Sequence, residues 1–411
     1  MTQARIWTII ALMATFAAGI LGGAWLFSDR PQSRSATMQD AEEAYAREDY
    51  AQTFEILLPL AKAGEPLAEY RIGMMLNSGT GVERDVDEAI TWLQRAVTSD
   101  VTGARDALGK IYVERAQDAD STENELSYYQ RAADLGMADA QAVLGSYFLA
   151  GQGVPRDYDK ALALLELAAG QDDPRALTNL GFMYATGMGV TRDDARAFDY
   201  YLRAAELGLV RAQAAAGLFL ETGRGVDVNL AEATRWLLNA ASAGDESAAA
   251  RLGALIANGT VTPPTEIASA FLMQAAAATG NVAALDWLER EAEKGDSLAL
   301  GRLAEIYLGG KGVTLDQEKG LSLLQRAAQA GDGLSQLELG RRYGSGDGFE
   351  QDYVAAHQWA NLAASSGNAE AIELRGVYAS LMTPEQIEAA QARAREWTAA
   401  RVGVDNDVQD P

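Results

Sequence analysis

The chain has 411 residues, 48% hydrophobic and 22% charged, the composition of a folded protein and too long for a single core, which stops growing near ~250–300 residues. It carries 58 Asp and Glu against 34 Lys and Arg, a formal net charge of −24, so phosphate backbones are repelled and nucleic acid is excluded as a partner. With no cysteine and a single histidine, His357, disulfides, thiolate metal sites, iron–sulfur clusters, cysteine nucleophiles and histidine clusters are excluded together.

Ile6 to Phe27 is a run of 22 residues without a charge, between Arg5 and Asp29-Arg30. As a helix it would be ~33 Å long, enough to cross a hydrocarbon core of ~30 Å. A cleavable signal has a shorter apolar stretch, ~7–15 residues, ending at a small-residue site. The nearest such site, Gly22-Gly23-Ala24, is followed by more apolar residues, Trp25-Leu26-Phe27. Residues 1–37 are therefore expected to hold an N-terminal transmembrane or signal helix and its linker. The first reading is an uncleaved anchor giving single-pass membrane association through residues 6–27; the alternative is a cleaved signal. Arg5 on one side and Arg30 and Arg34 on the other leave the orientation open.

From residue 38 onward one spacing organises the chain. Gly73, Gly109, Gly145, Gly181, Gly217 and Gly253 follow one another at 36 residues, and after a jump of 51 the series resumes at Ala304, Gly340 and Gly376. Ala96, Ala132, Ala168, Ala204, Ala240, Ala276, Ala327 and Ala363 each stand 23 residues after an anchor, so the repeat is real. Four residues further stands Gly136, Gly208, Gly244, Gly280, Gly331 or Gly367, with Asp100 and Asp172 in the two remaining units. Each unit reads as two helices. Ala176, Leu177, Leu180, Gly181 and Tyr184 lie on one face of a helix that Gly187-Met188-Gly189-Val190 stops. A second helix carries Ala197, Tyr200, Tyr201, Ala204 and Ala205 and ends at Gly208. The small residues let helices cross closely while the aromatics fill the gap to the next unit. One pair cannot cover its own apolar face, so pairs must stack into a solenoid.

Leu180-Gly181-x-x-Tyr184-x-x-Gly187-x-Gly189-Val190, then Ala197 and Ala204-Ala205-x-x-Gly208, resembles the Sel1-like repeat, a relative of the tetratricopeptide repeat. Leu144-Gly145 with Gly151-x-Gly153-Val154 repeats the pattern, and Gly223-x-Gly225-Val226 and Gly310-x-Gly312-Val313 carry the same loop. The resemblance covers roughly residues 40–380. It implies an all-α chain: a right-handed α-solenoid of about eight to nine two-helix, 36-residue repeats. The repeats form a first block over 38–280 and a second over 296–382.

Several segments depart from the pattern. The unit at 103–137 has Val113-Glu114-Arg115-Ala116-Gln117 where the Gly loop belongs, and the unit at 246–280 keeps only Gly259 and carries Pro263-Pro264. Residues 281–295 form an extra, unpartnered helix, which predicts a kink or a two-lobe arrangement with its joint near 260–295. At the front, residues 40–63 read as a lone second helix closed by Gly64. At the back, Thr383-Pro384-Glu385-Gln386 opens a capping helix over 383–401, followed by a disordered tail over 402–411.

No residue set stands out for chemistry, and catalytic, cofactor-binding and metal residues are each expected to be absent. The acidic pairs Asp172-Asp173, Asp193-Asp194 and Glu42-Glu43 fall at helix starts or loops, where carboxylates favour the helix dipole. His357 lacks a marked partner and reads as a surface or packed residue, and Trp92, Trp236 and Trp359 share one repeat phase and read as core. The Gly-x-Gly-Val loops follow helices and lack a Gly-Lys-Ser/Thr ending, so they are not phosphate loops.

The resemblance also implies an inner, concave face lined by first helices. Transferred position by position, it places there Tyr70, Met74 and Asn77, then Lys110, then Arg175, Thr178 and Phe182, then Arg211, Leu218 and Glu221, and finally Arg341. Arginine and aromatic residues are usual interface anchors, and the cations suggest an extended or helical acidic peptide. The chain is thus expected to be a non-catalytic scaffold or adaptor of the bacterial cell envelope, binding other proteins or peptides through this face, with no cofactor. The expected location is the inner (cytoplasmic) membrane, with the repeats in the periplasm; a soluble periplasmic protein is the alternative. The alternative function is a cell-wall (peptidoglycan) associated binding protein or enzyme regulator. Family members linked to peptidoglycan typically carry repeat-bridging cysteines, absent here.

Overall fold

Polar side chains open most helices of this chain. In ten of them, α-helices beginning after Asp49, Asp85, Asp157, Asp173, Asp193, Asp245, Asp296, Asp316, Asp332 and Asp352, the capping carboxylate accepts a backbone N–H of the first turn. At the other end Gly136, Gly208, Gly244, Gly280, Gly331 and Gly367 close second helices with positive φ, and Asp100 and Asp172 take that conformation in the two units without the glycine.

The structure, a computed structural model, describes residues 37–263 and 269–407, with side chains up to residue 400. The expected membrane segment at 6–27 lies outside the described residues. Among the described residues the chain is all helix, with no strand, and no helix is long and apolar enough to cross a membrane.

Described residues up to Leu144 form one compact unit and those from Gly145 onward a second. The first begins with α1 (Met38–Ala46) and α2 (Tyr50–Lys62), followed by the pairs α3 (Pro66–Ser78) with α4 (Val86–Thr98) and α5 (Ala104–Gln117) with α6 (Thr122–Asp134). The boundary falls within α7 (Ala138–Ala150), after which come α8 (Tyr158–Ala169), α9 (Pro174–Thr186) with α10 (Asp194–Glu206), α11 (Val210–Thr222) with α12 (Leu230–Ser242), and α13 (Glu246–Ala257) with α14 (Ser269–Ala278). Then stand the single helix α15 (Val282–Glu293), the pairs α16 (Ser297–Gly309) with α17 (Gln317–Gln329) and α18 (Gly333–Ser345) with α19 (Tyr353–Ala364), and finally α20 (Ala369–Ser380) and α21 (Pro384–Asp407). Helix pairs at the 36-residue spacing make this an α-solenoid fold.

The anchor glycines work as close-approach points. A Cβ on Gly73, Gly145 or Gly217 would stand 2.7 or 2.8 Å from the Cγ of Leu93, Leu165 or Leu237, and one on Gly181 2.8 Å from the Tyr201 ring. Each partner comes from the second helix of the same repeat, 20 residues on, so the side chain fills the hole that the glycine leaves. Trp92, Trp236 and Trp359 are buried as expected. Aromatics also bridge successive repeats: Tyr201 meets Phe219 edge-on with ring centroids 5.4 Å apart.

Ion pairs run between neighbouring repeats as well. Arg71 reaches Glu42 at 2.9 Å, Arg115 Asp87 at 2.7 Å, Arg203 Asp172 at 2.8 Å, Arg224 Asp194 at 2.7 Å and Lys319 Glu289 at 3.1 Å. Exposed pairs of this kind contribute about 0–1 kcal/mol each, so they set alignment while the apolar stripes supply the stability.

Three expectations are corrected. Residues 40–63 are two helices, because Glu48 takes a positive φ and Asp49 caps Tyr50 onward by accepting the Gln52 N–H at 3.2 Å. The helix at 281–295 is not unpartnered: α15 packs against both α14 and α16 and buries Ala284, Leu288 and Ala292 in one cluster with residues before and after it. The division into two compact units falls at Leu144/Gly145. The C-terminal helix opens on the expected cap, with Thr383 N–H donating to Gln386 at 2.8 Å, but it runs to Asp407, past Arg401 and into the stretch read as tail. In the unit at 103–137 the missing glycines have a direct effect, as α5 continues through Gln117.

His357 is packed inside α19, 3% exposed, with Nδ1 unpartnered. Burial, and then the nearby Arg375 guanidinium, hold its pKa below the usual 6.5. A lowered folded-state pKa makes the neutral ring the native form. Stability is therefore complete above pH 6.5 and declines as pH falls from there toward the folded-state pKa, because the unfolded chain takes up the proton first. Urea unfolding between about pH 7.5 and about pH 5.5 should show a stability loss in the wild type that His357→Leu lacks. Parallel pH profiles for the two proteins would remove this role from the histidine.

Candidate protein-binding surface

Three of the eleven predicted surface residues come together in the first compact unit. Tyr70, Met74 and Asn77 project from α3 into a cavity of about 370 Å³ between α3 and the α1–α2 hairpin. Leu57, Met75 and Tyr45 complete its apolar wall, and Arg71 and Thr80 stand at its edge. Tyr45 and Tyr50 hold each other edge-to-face, centroids 5.2 Å apart, which props the α1 side. Lys110, on α5, does not line the cavity; the hydrogen-bonded carboxylate of Asp106 at 2.8 Å raises its pKa.

One polar atom of a lining residue stands out. The side-chain Oδ1 of Asn77 is buried and has no donor, although the residue's backbone carbonyl is taken by Arg84 Nε at 2.8 Å. A buried acceptor without a donor is unfavourable by about 1–3 kcal/mol. The largely apolar hollow suits an aromatic or aliphatic side chain.

The remaining candidates do not converge in this way. Thr178 is buried, with its hydroxyl donated back to the Pro174 carbonyl at 2.7 Å, so it is withdrawn from the surface on which it was placed. Phe182 is half-buried against the aromatic cluster of Tyr184, Tyr201 and Phe219, and Leu218 is half-buried on α11. Of the charged candidates in the second unit, Arg175 faces Asp173 at 3.5 Å, Glu221 meets Arg251 at 2.6 Å, and Arg341 pairs with both Glu338 and Glu370. Arg211 is exposed and has no carboxylate partner; it lies close enough to Tyr201 to oppose, weakly, the burial that pushes that phenol up to about 12. With most of these cations already neutralised, the expected reading of an acidic peptide loses its electrostatic basis, and the apolar cavity takes its place.

The acidic pairs have structural roles. Asp173 and Asp193 cap α9 and α10, and Asp172 and Glu42 form the inter-repeat pairs described above. Asp194 lies between Arg192 and Arg224, both at 2.7 Å, and their hydrogen bonds hold its carboxyl down at about 2. Among the described residues no cluster of metal-ligating side chains is present.

Sequence reasoning missed Tyr45 and Leu57 as cavity residues because it drew one helix through 40–63, which leaves no α1 to form a wall. The signal was present: Asp49 stands three residues before Gln52 and immediately before an apolar run, the mark of a helix start.

Stacked helix pairs with an open-sided cavity define the class as a helical-repeat scaffold. The family model of the Sel1 repeat matches residues 66–100, 126–137, 138–173, 174–209, 210–245, 297–332 and 333–368. These segments make up more than half of the chain, which belongs to the Sel1 repeat family. The short match at 126–137 and the gap between 245 and 297 coincide with the two irregular units and the extra helix. Sel1 repeat proteins generally mediate protein–protein interactions.

Among curated proteins, chitin synthase regulatory factor 3 of Schizosaccharomyces pombe is similar, 34% identical over 67 residues, which is 16% of this chain and 7% of that protein. Two solved structures are also similar. A protective antigen of uropathogenic Escherichia coli with an SLR fold is 23% identical, covering 90% of this chain and 93% of its own, with a TM-score of 0.43. A Sel1 repeat protein from Oxalobacter formigenes is 28% identical, covering 78% and 88%, with a TM-score of 0.41.

Proposed function

We propose that this protein is a non-catalytic adaptor of the bacterial cell envelope that holds a partner protein by an apolar side chain seated between α1, α2 and α3. The cavity carries this reading: Tyr70, Met74 and Asn77 line it together with Tyr45 and Leu57. The uncharged run Ile6–Phe27 supports single-pass attachment to the inner membrane through residues 6–27, with the repeats in the periplasm.

Partner recovery by affinity purification from detergent-solubilised envelopes tests the binding site. Met74→Glu places a charge at the cavity mouth, where Met74 is already partly exposed, so the fold should persist while the partner is lost. Charge reversal at Arg175 and Arg211 should leave recovery intact. The opposite pattern would move the site to the second unit. A compartment-sensitive reporter fused after Pro411 checks the location, and activity in the cytosol would exclude the periplasmic placement.

A further inference from the structure

The last repeat is built differently from the others, and the difference leaves a helix face open. Gly376 stands in the anchor phase of Gly73, Gly145, Gly181 and Gly217. Those four are covered by Leu93, Leu165, Tyr201 and Leu237 of their own second helices, whereas a Cβ on Gly376 would meet nothing within 4 Å. The sequence explains the vacancy. The side chain 20 residues after Gly376 is Glu396 in place of Leu or Tyr, and Leu381-Met382-Thr383 replaces the glycine loop. Helix α21 therefore starts only eight residues past the anchor, at Pro384, while α10 starts 13 past its own. It packs through Ala390 and Ala394 against α19 instead of lying over Gly376.

The open face of α20 is apolar at both edges. Ile372 is 46% exposed, although Leu177, at the same phase, is fully buried; Val377 and Leu381 are 47% and 54% exposed. Between these edges, at helical spacing, lie Ala369, Gly376 and Ser380 with the carboxylate of Glu373, which has no cationic partner among the described residues. The shape is a shallow trough with a hole at Gly376 and one negative charge on its floor.

We propose that this trough is a second docking site, beyond the cavity assigned above, and that its occupant is an amphipathic helix of another protein. That helix would place a Leu or aromatic side chain in the hole at Gly376 and a Lys or Arg beside Glu373. Two covered anchors are filled by a helix of this pattern: in α10, Tyr201 sits over Gly181 and Arg203 follows two residues on. In α4, Leu93 sits over Gly73 and Arg95 follows two residues on. A second copy of this chain is the poorer fit, because Leu93, Leu165, Tyr201 and Leu237 are already buried in their own repeats.

The test uses the full chain and a fluorescein-labelled synthetic peptide of residues 85–99, read by anisotropy. Saturable binding is expected, weakened at least about tenfold, or by more than 1.4 kcal/mol, in a peptide bearing Leu93→Asp. In the protein, Gly376→Leu plugs the hole without meeting any neighbour, and removing a mid-helix glycine favours the helix, so this variant keeps its fold while binding is lost. Glu373→Lys should weaken binding several-fold. Absence of saturable binding, or binding indifferent to Gly376→Leu, overturns the site. Concentration-dependent self-association in sedimentation that Gly376→Leu abolishes would assign the trough to a second copy and overturn the proposed occupant.

Discussion

Gly225→Ala should lower the stability of the second unit by roughly 3 kcal/mol, the sum of backbone strain and local overpacking. Gly225 is the second glycine of a Gly-x-Gly loop and has φ +65°, where an L side chain is strained. Its missing side chain also matters, because a Cβ would overlap the backbone of Asp194 and Ala195 at the start of α10, one repeat earlier. Neither backbone can turn aside as a flexible side chain would. Gly208→Ala separates the two effects: its φ is +87° but nothing lies within 4 Å of the added Cβ. That variant should lose only about 1 kcal/mol, and urea midpoints of the two variants measure the difference. Equal losses would mean that the loop does not need the close approach to the preceding repeat.

Leu288→Ala should be destabilising by about 2–5 kcal/mol, the range for emptying a fully buried leucine site. Leu288 lies on α15, the helix outside the 36-residue spacing, and is fully buried between Ala284 and Ala292. An extra helix held loosely would tolerate the change. The observed one shares a cluster with Leu252, Leu272, Leu303 and Leu324 from the repeats before and after it. Val282→Ala, at an exposed position on the same helix, should shift stability by less than about 0.5 kcal/mol. A Leu288→Ala protein that unfolds like the wild type would mean that this helix is held loosely.

The repeated units were legible because spacing alone reveals them. Glycine, alanine and loop positions recur in phase, and the physics of crossing helices assigns each a place, as Gly181 under Tyr201 confirms. What spacing does not reveal is how an irregular segment packs. The single helix at 282–293 breaks the alternation of the sequence, yet its apolar stripe Ala284, Leu288 and Ala292 finds partners on both sides. The candidate surface was legible in part. Tyr70, Met74 and Asn77 share one helix face, so sequence position predicts their company, but the wall formed by Tyr45 and Leu57 depends on a turn at Glu48 that only local cap chemistry announces. Arg341 failed as a free cation because it pairs with Glu338 on its own helix, which the sequence shows, and with Glu370 one repeat on, which it does not.

The ten aspartates that open helices bear on any attempt to alter the charge of this protein. Each such carboxylate is tied to a helix start, and exchanging a capping residue for alanine is unfavourable by about 0.5–2 kcal/mol. A variant re-engineered toward neutrality, for crystallisation or for adsorption to a cation exchanger, would unravel if these positions were chosen. Exposed glutamates outside the inter-repeat pairs, such as Glu43 and Glu55, can be exchanged with far less damage. The acidity of this chain is thus partly architectural, and only the remainder is open to adjustment.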